Sequence, residues 1–338
     1  MEISTSKRLL IQILFAAALL LVASNIIFNK FFRVEKPSEF PEVSALEINQ
    51  KFMNSVLSFG LNNDWIKKDK KTKSDSTFFS YKISIPQDLP ITVILSEINS
   101  SLKNLNVNIF SKEDKINGKT ELTILSKENL KLSASFDYNN EMRRKAGYIG
   151  ILVSNLNELN DEKLNKVLNF PELFGYIIFP SKSSSEFVKK VSKFRKEYVV
   201  ILDDEIKELK YKLDEDYSAG RLKSSIRSII GSFPNASFFL IDNNSDLFSS
   251  KIYDFVENEF EKRKIKFIKK NTLFEILSEP LNQIKSSFNN LVRSNEKGWG
   301  RVIIVPAENF NLIEDEIISL RKIGYKFISP TQIISNND

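Results

Sequence analysis

Residues Gly147–Asn157 read GYIGILVSNLN. Tyr148–Val153 is a short apolar run rich in β-branched residues, and a polar loop follows at once. Such a run predicts a strand buried on both faces of a parallel sheet, with its C-terminal end opening into a loop. In α/β folds ligands and catalytic groups gather at that end. Here it holds Ser154, Asn155, Leu156 and Asn157, among which there is no strong acid, base or metal ligand.

The rhythm set by this strand continues to the C-terminus. Apolar runs recur at Tyr148–Val153, Tyr176–Phe179, Tyr198–Leu202, Ser237–Ile241, Ile265–Ile268, Val302–Val305 and Tyr325–Ile328. Amphipathic segments lie between them: Phe187/Val188/Val191/Phe194, Leu222/Ile226/Ile229/Ile230, Ile252/Phe255/Val256/Phe260, Ile284/Phe288/Leu291/Val292 and Ile313/Ile317/Leu320. Gly324 closes the last as a C-cap. Strand–helix alternation with continuous apolar strands predicts a parallel sheet covered by helices. Seven strands within residues 146–336 are too compact for two Rossmann halves and suit a closed or nearly closed seven-stranded (β/α) barrel.

Upstream, residues 44–140 read as a small α+β domain. A helical stripe (Ile48, Phe52, Val56, Phe59) leads into a strand alternating Phe79/Tyr81/Ile83/Ile85 with polar residues. A second helix (Leu95, Ile98, Leu102, Leu105) and strands at Val107–Phe110, Leu122/Ile124 and Leu132/Ala134/Phe136 complete it, with Asn117-Gly118 as a tight turn. Residues 29–43 form a linker carrying Pro37 and Pro41. Before it, Leu9–Phe28 is twenty mostly apolar residues, enough to cross a bilayer as a helix at ~1.5 Å per residue. Residues 1–8 carry Lys7 and Arg8, which favour a cytoplasmic N-terminus. The expectation is a single-pass anchor in the inner (cytoplasmic) membrane with the bulk of the chain on the periplasmic, extracytoplasmic side. The alternative is a cleaved signal at Val22-Ala23-Ser24 and a secreted chain.

Composition removes whole classes of chemistry. There is no cysteine and no histidine in 338 residues. Disulfides, thiolate nucleophiles, the commonest metal ligand and the commonest general acid/base are therefore absent. A net charge of +6 comes from 49 basic and 43 acidic residues scattered along the chain, without the clustering of a nucleic-acid face; no nucleic-acid partner is expected.

Segment 146–334 resembles the divergent polysaccharide deacetylase family, relatives of the metal-dependent carbohydrate esterases. Where that family's first strand runs into Asp-Asp-Leu-Gly, this chain has Ser154-Asn155-Leu156-Asn157. Phe170-Pro171-Glu172-Leu173 and a strand ending in Phe179-Pro180 resemble its second strand. Glu197–Val200 leads to Ile201-Leu202-Asp203-Asp204-Glu205 in place of His-Leu-Pro-Met-Glu. Phe233-Pro234-Asn235-Ala236 resembles the turn before the fourth strand, which ends in Asp242-Asn243-Asn244-Ser245 instead of Asn-His-Met-Gly-Ser. Gly298–Val305 with Pro306-Ala307 matches a strand that ends in Gly-His-Pro or Gly-His-Ala, and Gly324-Tyr325 resembles the approach to the closing strand.

The resemblance implies a catalytic set that this chain lacks. The two aspartates of the first strand become Ser154 and Asn155, and the histidines become Ile201, Asp242 and Pro306. The acidic position near the fifth strand becomes Lys269. Deacetylation in such enzymes needs a divalent ion and a proton-transfer group; Ile and Pro supply neither. The expected outcome is a pseudoenzyme without cofactor or metal, a glycan-binding or scaffolding module whose partner is cell-wall glycan or an envelope protein complex. A paralogue that pairs with an active deacetylase is a purely structural variant. The alternative is an active deacetylase or glycosidase using surviving carboxylates. Asp203, Asp204, Asp242 and Glu308 would then form a carboxylate site or glycosidase pair at the strand ends, though no spacing among them selects a metal geometry. Asn243 and Asn244 could contact sugar, or simply form turns with Ser245. Trp299, in Lys297-Gly298-Trp299-Gly300, reads as a plug beneath the barrel rather than as a sugar platform.

Overall fold

The computed structural model describes residues 41–73, 76–116, 118–144, 146–276, 280–294 and 300–336, together with 15–21 and 24. Residues 15–21 are helical and exposed. The rest of the expected 9–28 span, most of the linker and Trp299 lie outside the described residues. No described helix is long and apolar enough to cross a membrane.

The first unit starts with helix α1 (Ala45–Leu57), capped by Ser44, whose hydroxyl accepts from the Glu47 N–H at 3.1 Å; Ser-x-x-Glu is a helix-start signature. Strands β1 (Ile66–Lys73) and β2 (Ser76–Ile85) form an antiparallel pair. Helix α2 (Ile91–Leu102) follows, then β3 (Asn108–Glu113), β4 (Thr120–Ser126) and β5 (Asn129–Tyr138). The sheet order is β1-β2-β5-β4-β3, with β2 and β5 parallel and the other pairs antiparallel. Inward residues Tyr81, Ile83, Leu122, Leu132 and Phe136 meet Ile48, Phe52, Ile94 and Ile98 of the helices in one core. Strand β1, sequence IKKDKKTK, is absent from the sequence expectation because lysines hide its period. Lysine on an edge strand discourages pairing with another chain.

The second unit is built on β6 (Tyr148–Ser154). Strands β7 (Gly175–Ile178), β8 (Glu197–Leu202), β9 (Phe239–Ile241), β10 (Phe267–Lys269), β11 (Phe274–Glu275), β12 (Arg301–Pro306) and β13 (Lys326–Phe327) complete a parallel sheet. Its order is β10-β9-β8-β7-β6-β12-β11, with β13 pairing β6. Helices α3 (Asp161–Leu168), α4 (Lys182–Val191), α5 (Ala219–Ser232), α6 (Asp246–Ser249), α7 (Tyr253–Glu261), α8 (Leu281–Arg293) and α9 (Ala307–Lys322) alternate with the strands, and α10 (Pro330–Asn336) ends the chain.

Two differences from a seven-stranded closed barrel follow. Among the described residues there are eight strands, one more than expected, because two-residue β11 is too short to leave a pattern. The sheet is curled but not closed by a ladder: among the described residues no pairing joins β10 to β11. These edge strands are nevertheless separated by only residues 270–273, so five chain steps of at most ~3.6 Å each bring the edges within ~18 Å. The final strand does not close the barrel either. Since β12 pairs along most of β6, β13 (at Tyr148 and Ile149) and β7 (at Leu152 and Val153) share the other side of that strand.

Alternate residues divide the core. Ile149, Ile151 and Val153 face the helices with Tyr198, Val200, Ile303 and Val305. Leu152, Ile177, Val199, Ile201, Leu240, Val302 and Ile304 face the concave interior, where Ile333 and Ile334 of α10 join them. The interior is therefore filled by the C-terminal helix. A Cβ on Gly150 would stand 3.0 Å from both Pro330 Cα and Ile333 Cδ1, and one on Gly300 would stand 2.7 Å from Ile333 Cγ2. Only glycine admits this close approach. Glu197 ties the plug down, accepting from Ser329 Oγ at 2.9 Å and Thr331 Oγ1 at 2.6 Å.

Arg144, on the connection between the units, joins them. Its guanidinium donates to Asp88 Oδ2 (3.0 and 2.6 Å) and to the carbonyls of Phe59 (3.1 Å) and Lys322 (2.7 Å). Lys322 also pairs with Glu97 at 2.9 Å.

Candidate functional site

Parallel strands end on one face, so residues just past them share a mouth. Ser154 ends β6 and lies in register with Pro306, the end of β12 and N-cap of α9. Asn155 follows in the left-handed conformation (φ 57°), which Asn tolerates better than most residues, and turns the chain so that Leu156 is buried. Phe179, just past β7, is 43% exposed, leaving an aromatic side chain between the β6 and β8 ends.

Ile201 is not at the mouth. It lies inside β8, paired with Leu240 and packed in the concave core. The strand runs one residue further, so the position just past it belongs to Asp203. This carboxylate is 8% exposed and accepts from the Glu205 N–H at 3.0 Å. Burial pushes its pKa up to about 6; the Glu205 N–H opposes this, while Glu205, Asp204 and Asp242 add repulsion. Asp204 is exposed and accepts from the Asp246 N–H at the start of α6 (2.9 Å).

Asp242 extends the β8–β9 ladder through its N–H to Leu202 O (3.1 Å), and its carboxylate accepts from the Asn244 N–H at 2.9 Å. Asn243 accepts from the Asn271 N–H at 2.9 Å, while its Nδ2 is buried without a partner. Asn244 is exposed. Asn243 and Asn244 thus build the turn after β9, and Glu308 sits exposed in the first turn of α9.

Lys269, the last residue of β10, lies against the helices that follow β9, its ammonium 5.5 Å from the Phe248 ring and 5.8 Å from Tyr253. The cation that reaches the mouth is its neighbour. Lys270 Nζ lies 3.0 Å from Glu275 and 3.5 Å from Asp242. Burial works against its charge, but Glu275 and Asp242 outweigh it and hold the pKa above the ordinary lysine value. This ion pair links β9 to β11 across the gap between the sheet edges. Neither Lys270 nor Glu275 was expected from sequence; the Lys269-Lys270 doublet was the available signal, and an offset of one residue misplaced it.

The residues present do not fit a divalent ion. Ile201 and Pro306 carry no donor atom, and an ammonium already stands between Asp242 and Glu275. Among the described residues no three His, Cys, Asp or Glu side chains are grouped to hold a metal.

No family model and no curated protein matches the chain. Its fold is similar to those of family 4 carbohydrate esterases. One is PdaA from Bacillus subtilis, 12% identical over 58% of this chain and 82% of that one, with a TM-score of 0.36. A second is the catalytic domain of a peptidoglycan N-acetylglucosamine deacetylase from Eubacterium rectale, 11% identical over 56% and 90%, with a TM-score of 0.40. A third is BA3943, a pseudoenzyme of this family from Bacillus anthracis, 12% identical over 71% and 94%, with a TM-score of 0.36. The likeness is one of fold, and no residue role is carried across from it.

Proposed function

We propose that this chain is a catalytically silent, deacetylase-like module of the cell envelope that holds glycan. One observation supports the silent half: the Lys270 ammonium stands between the Asp242 and Glu275 carboxylates, so the carboxylates on that side of the mouth are already paired with a cation. The polypeptide thus supplies its own immobile cation, which can neutralise carboxylates but cannot polarise a carbonyl and activate water together as a metal does. The exposed Phe179 ring beside the polar ends Ser154, Asn155 and Asp203 supports glycan contact. In this reading residues 9–28 anchor the chain in the inner membrane and residues from about 31 onward face outward.

A second reading has its own observation. A buried carboxyl with a pKa of about 6, such as that of Asp203, suits a general acid near neutral pH, and Asp242 would be its partner in a glycosidase pair. One assay separates the two. Purified chain is incubated with N-acetylated glycan, with and without Zn²⁺, Mn²⁺ or Co²⁺. The silent reading expects no acetate or reducing ends above a heat-killed control, and sedimentation of the chain with the polymer. Release that disappears in Asp203→Asn would establish the hydrolase instead. Protease added to intact spheroplasts should degrade the second unit; full protection would refute the outward placement.

A further inference from the structure

We propose that the cavity at the junction of the two units binds a carboxylate-bearing sugar. The saccharide part of this assignment rests on the glycan reading above; the anionic part rests on the cavity alone. Three segments enclose about 290 Å³: the turn before α2, the connection between the units, and the turn from α9 into β13. That volume lies near the lower end of the ~300–1,000 Å³ usual for ligand pockets and suits one sugar ring rather than a chain. It lies at the N-terminal ends of β6 and β13, away from the mouth, and exists only because the first unit docks there.

The lining has the chemistry of such a ligand. Asp88 and Arg144 satisfy each other, and their charges cancel. Arg143 and Lys326 remain, and neither is paired with a carboxylate among the described residues; the cavity carries a net positive charge. Tyr148 is 41% exposed and offers an aromatic face, with Lys326 Nζ 5.8 Å from its centroid. Gln87 Nε2 donates to Asn140 Oδ1 at 2.5 Å. That bond uses one atom of each amide and leaves Gln87 Oε1 as an acceptor and Asn140 Nδ2 as a donor. An apolar ring face, amides of both polarities and two cations match a hydroxylated ring bearing a carboxylate.

Titration calorimetry on the full chain in detergent tests this with N-acetylmuramic acid, N-acetylglucosamine and lactate. The carboxylated sugar should bind at least tenfold more tightly than the neutral sugar or lactate. Arg143→Ala, Lys326→Ala and Tyr148→Ala should each weaken it tenfold or more with unchanged melting curves, since all three side chains are at the surface. Equal binding of the neutral sugar would overturn the anionic part, and equal binding of lactate would overturn the saccharide part. Absence of binding, or indifference to all three substitutions, would overturn the site. Co-sedimentation with whole envelope glycan keeps the two proposals apart. Wild-type protein that sediments yet binds no N-acetylmuramic acid refutes this cavity and leaves the glycan reading standing; wild-type protein that does not sediment refutes the glycan reading itself.

Discussion

Asp203→Asn should make the protein more stable at neutral pH and leave it unchanged in acid. Asp203 is buried, and its pKa rises from an ordinary 3.8 to about 6 in the folded chain. An acid whose folded pKa is raised binds its proton more tightly when folded. Its carboxyl therefore opposes folding least below pH ~4, where both states are protonated, and most above pH ~6, where the folded state must ionise a buried group. Two pKa units at ~1.4 kcal/mol each give a penalty of about 3 kcal/mol at pH 7. Asparagine keeps the shape and retains Oδ1 as an acceptor for the Glu205 N–H, so the substitution removes the charge and little else. Urea unfolding at pH 4, 5, 6 and 7.5 is the assay. The variant should match wild type at pH 4 and gain about 1–3 kcal/mol by pH 7.5, with the difference developing between pH 4 and 6. A pH-independent gain, or no gain at pH 7.5, would refute the account of Asp203.

Lys270→Met should cost about 1–2 kcal/mol at pH 7, between the values for exposed and buried ion pairs because the partners are 21–35% exposed. The loss should shrink in about 1 M NaCl, which screens the partly exposed pair; an equal loss at low and high salt would show that packing, not charge, is responsible. Gly150→Ala drives a methyl against Pro330 Cα, which cannot rotate away. A loss of about 1–3 kcal/mol is expected, with earlier proteolysis of the C-terminal helix, and an undisturbed helix would contradict the plug. Arg144→Ala removes an ion pair to the partly exposed Asp88 and two hydrogen bonds to backbone carbonyls, worth together about 2–4 kcal/mol. Calorimetry should then resolve the two units as separate transitions, and a single transition displaced as a whole would count against Arg144 as their clamp.

How much of this was legible in the chain follows from the physics of each element. Strands buried on both faces announce themselves as apolar runs, so the frame from β6 to β13 could be read from GYIGILV onward. Two-residue β11 could not, because a period needs more than one repeat, and β1 could not, because a lysine-rich edge satisfies solubility at the expense of pattern. The strand ends were harder still. An apolar run does not reveal the residue at which it leaves the sheet, and an error of one residue flips a side chain to the opposite face. A two-residue step put Ile201 where Asp203 belongs, and a one-residue step put Lys269 where Lys270 belongs. Together they exchanged an inert mouth for one with a raised carboxyl pKa and an internal cation. Lys270 just follows β10 and Glu275 ends β11, five residues apart at opposite edges of the sheet, and nothing in that interval distinguishes them from the chain's many other lysine and glutamate pairs. What selects them is the curl of the sheet, which sets β10 and β11 across a gap that no backbone ladder spans. A charge pair can bridge such a gap where hydrogen-bonded strands cannot, so the same two residues both draw the sheet edges together and occupy the mouth.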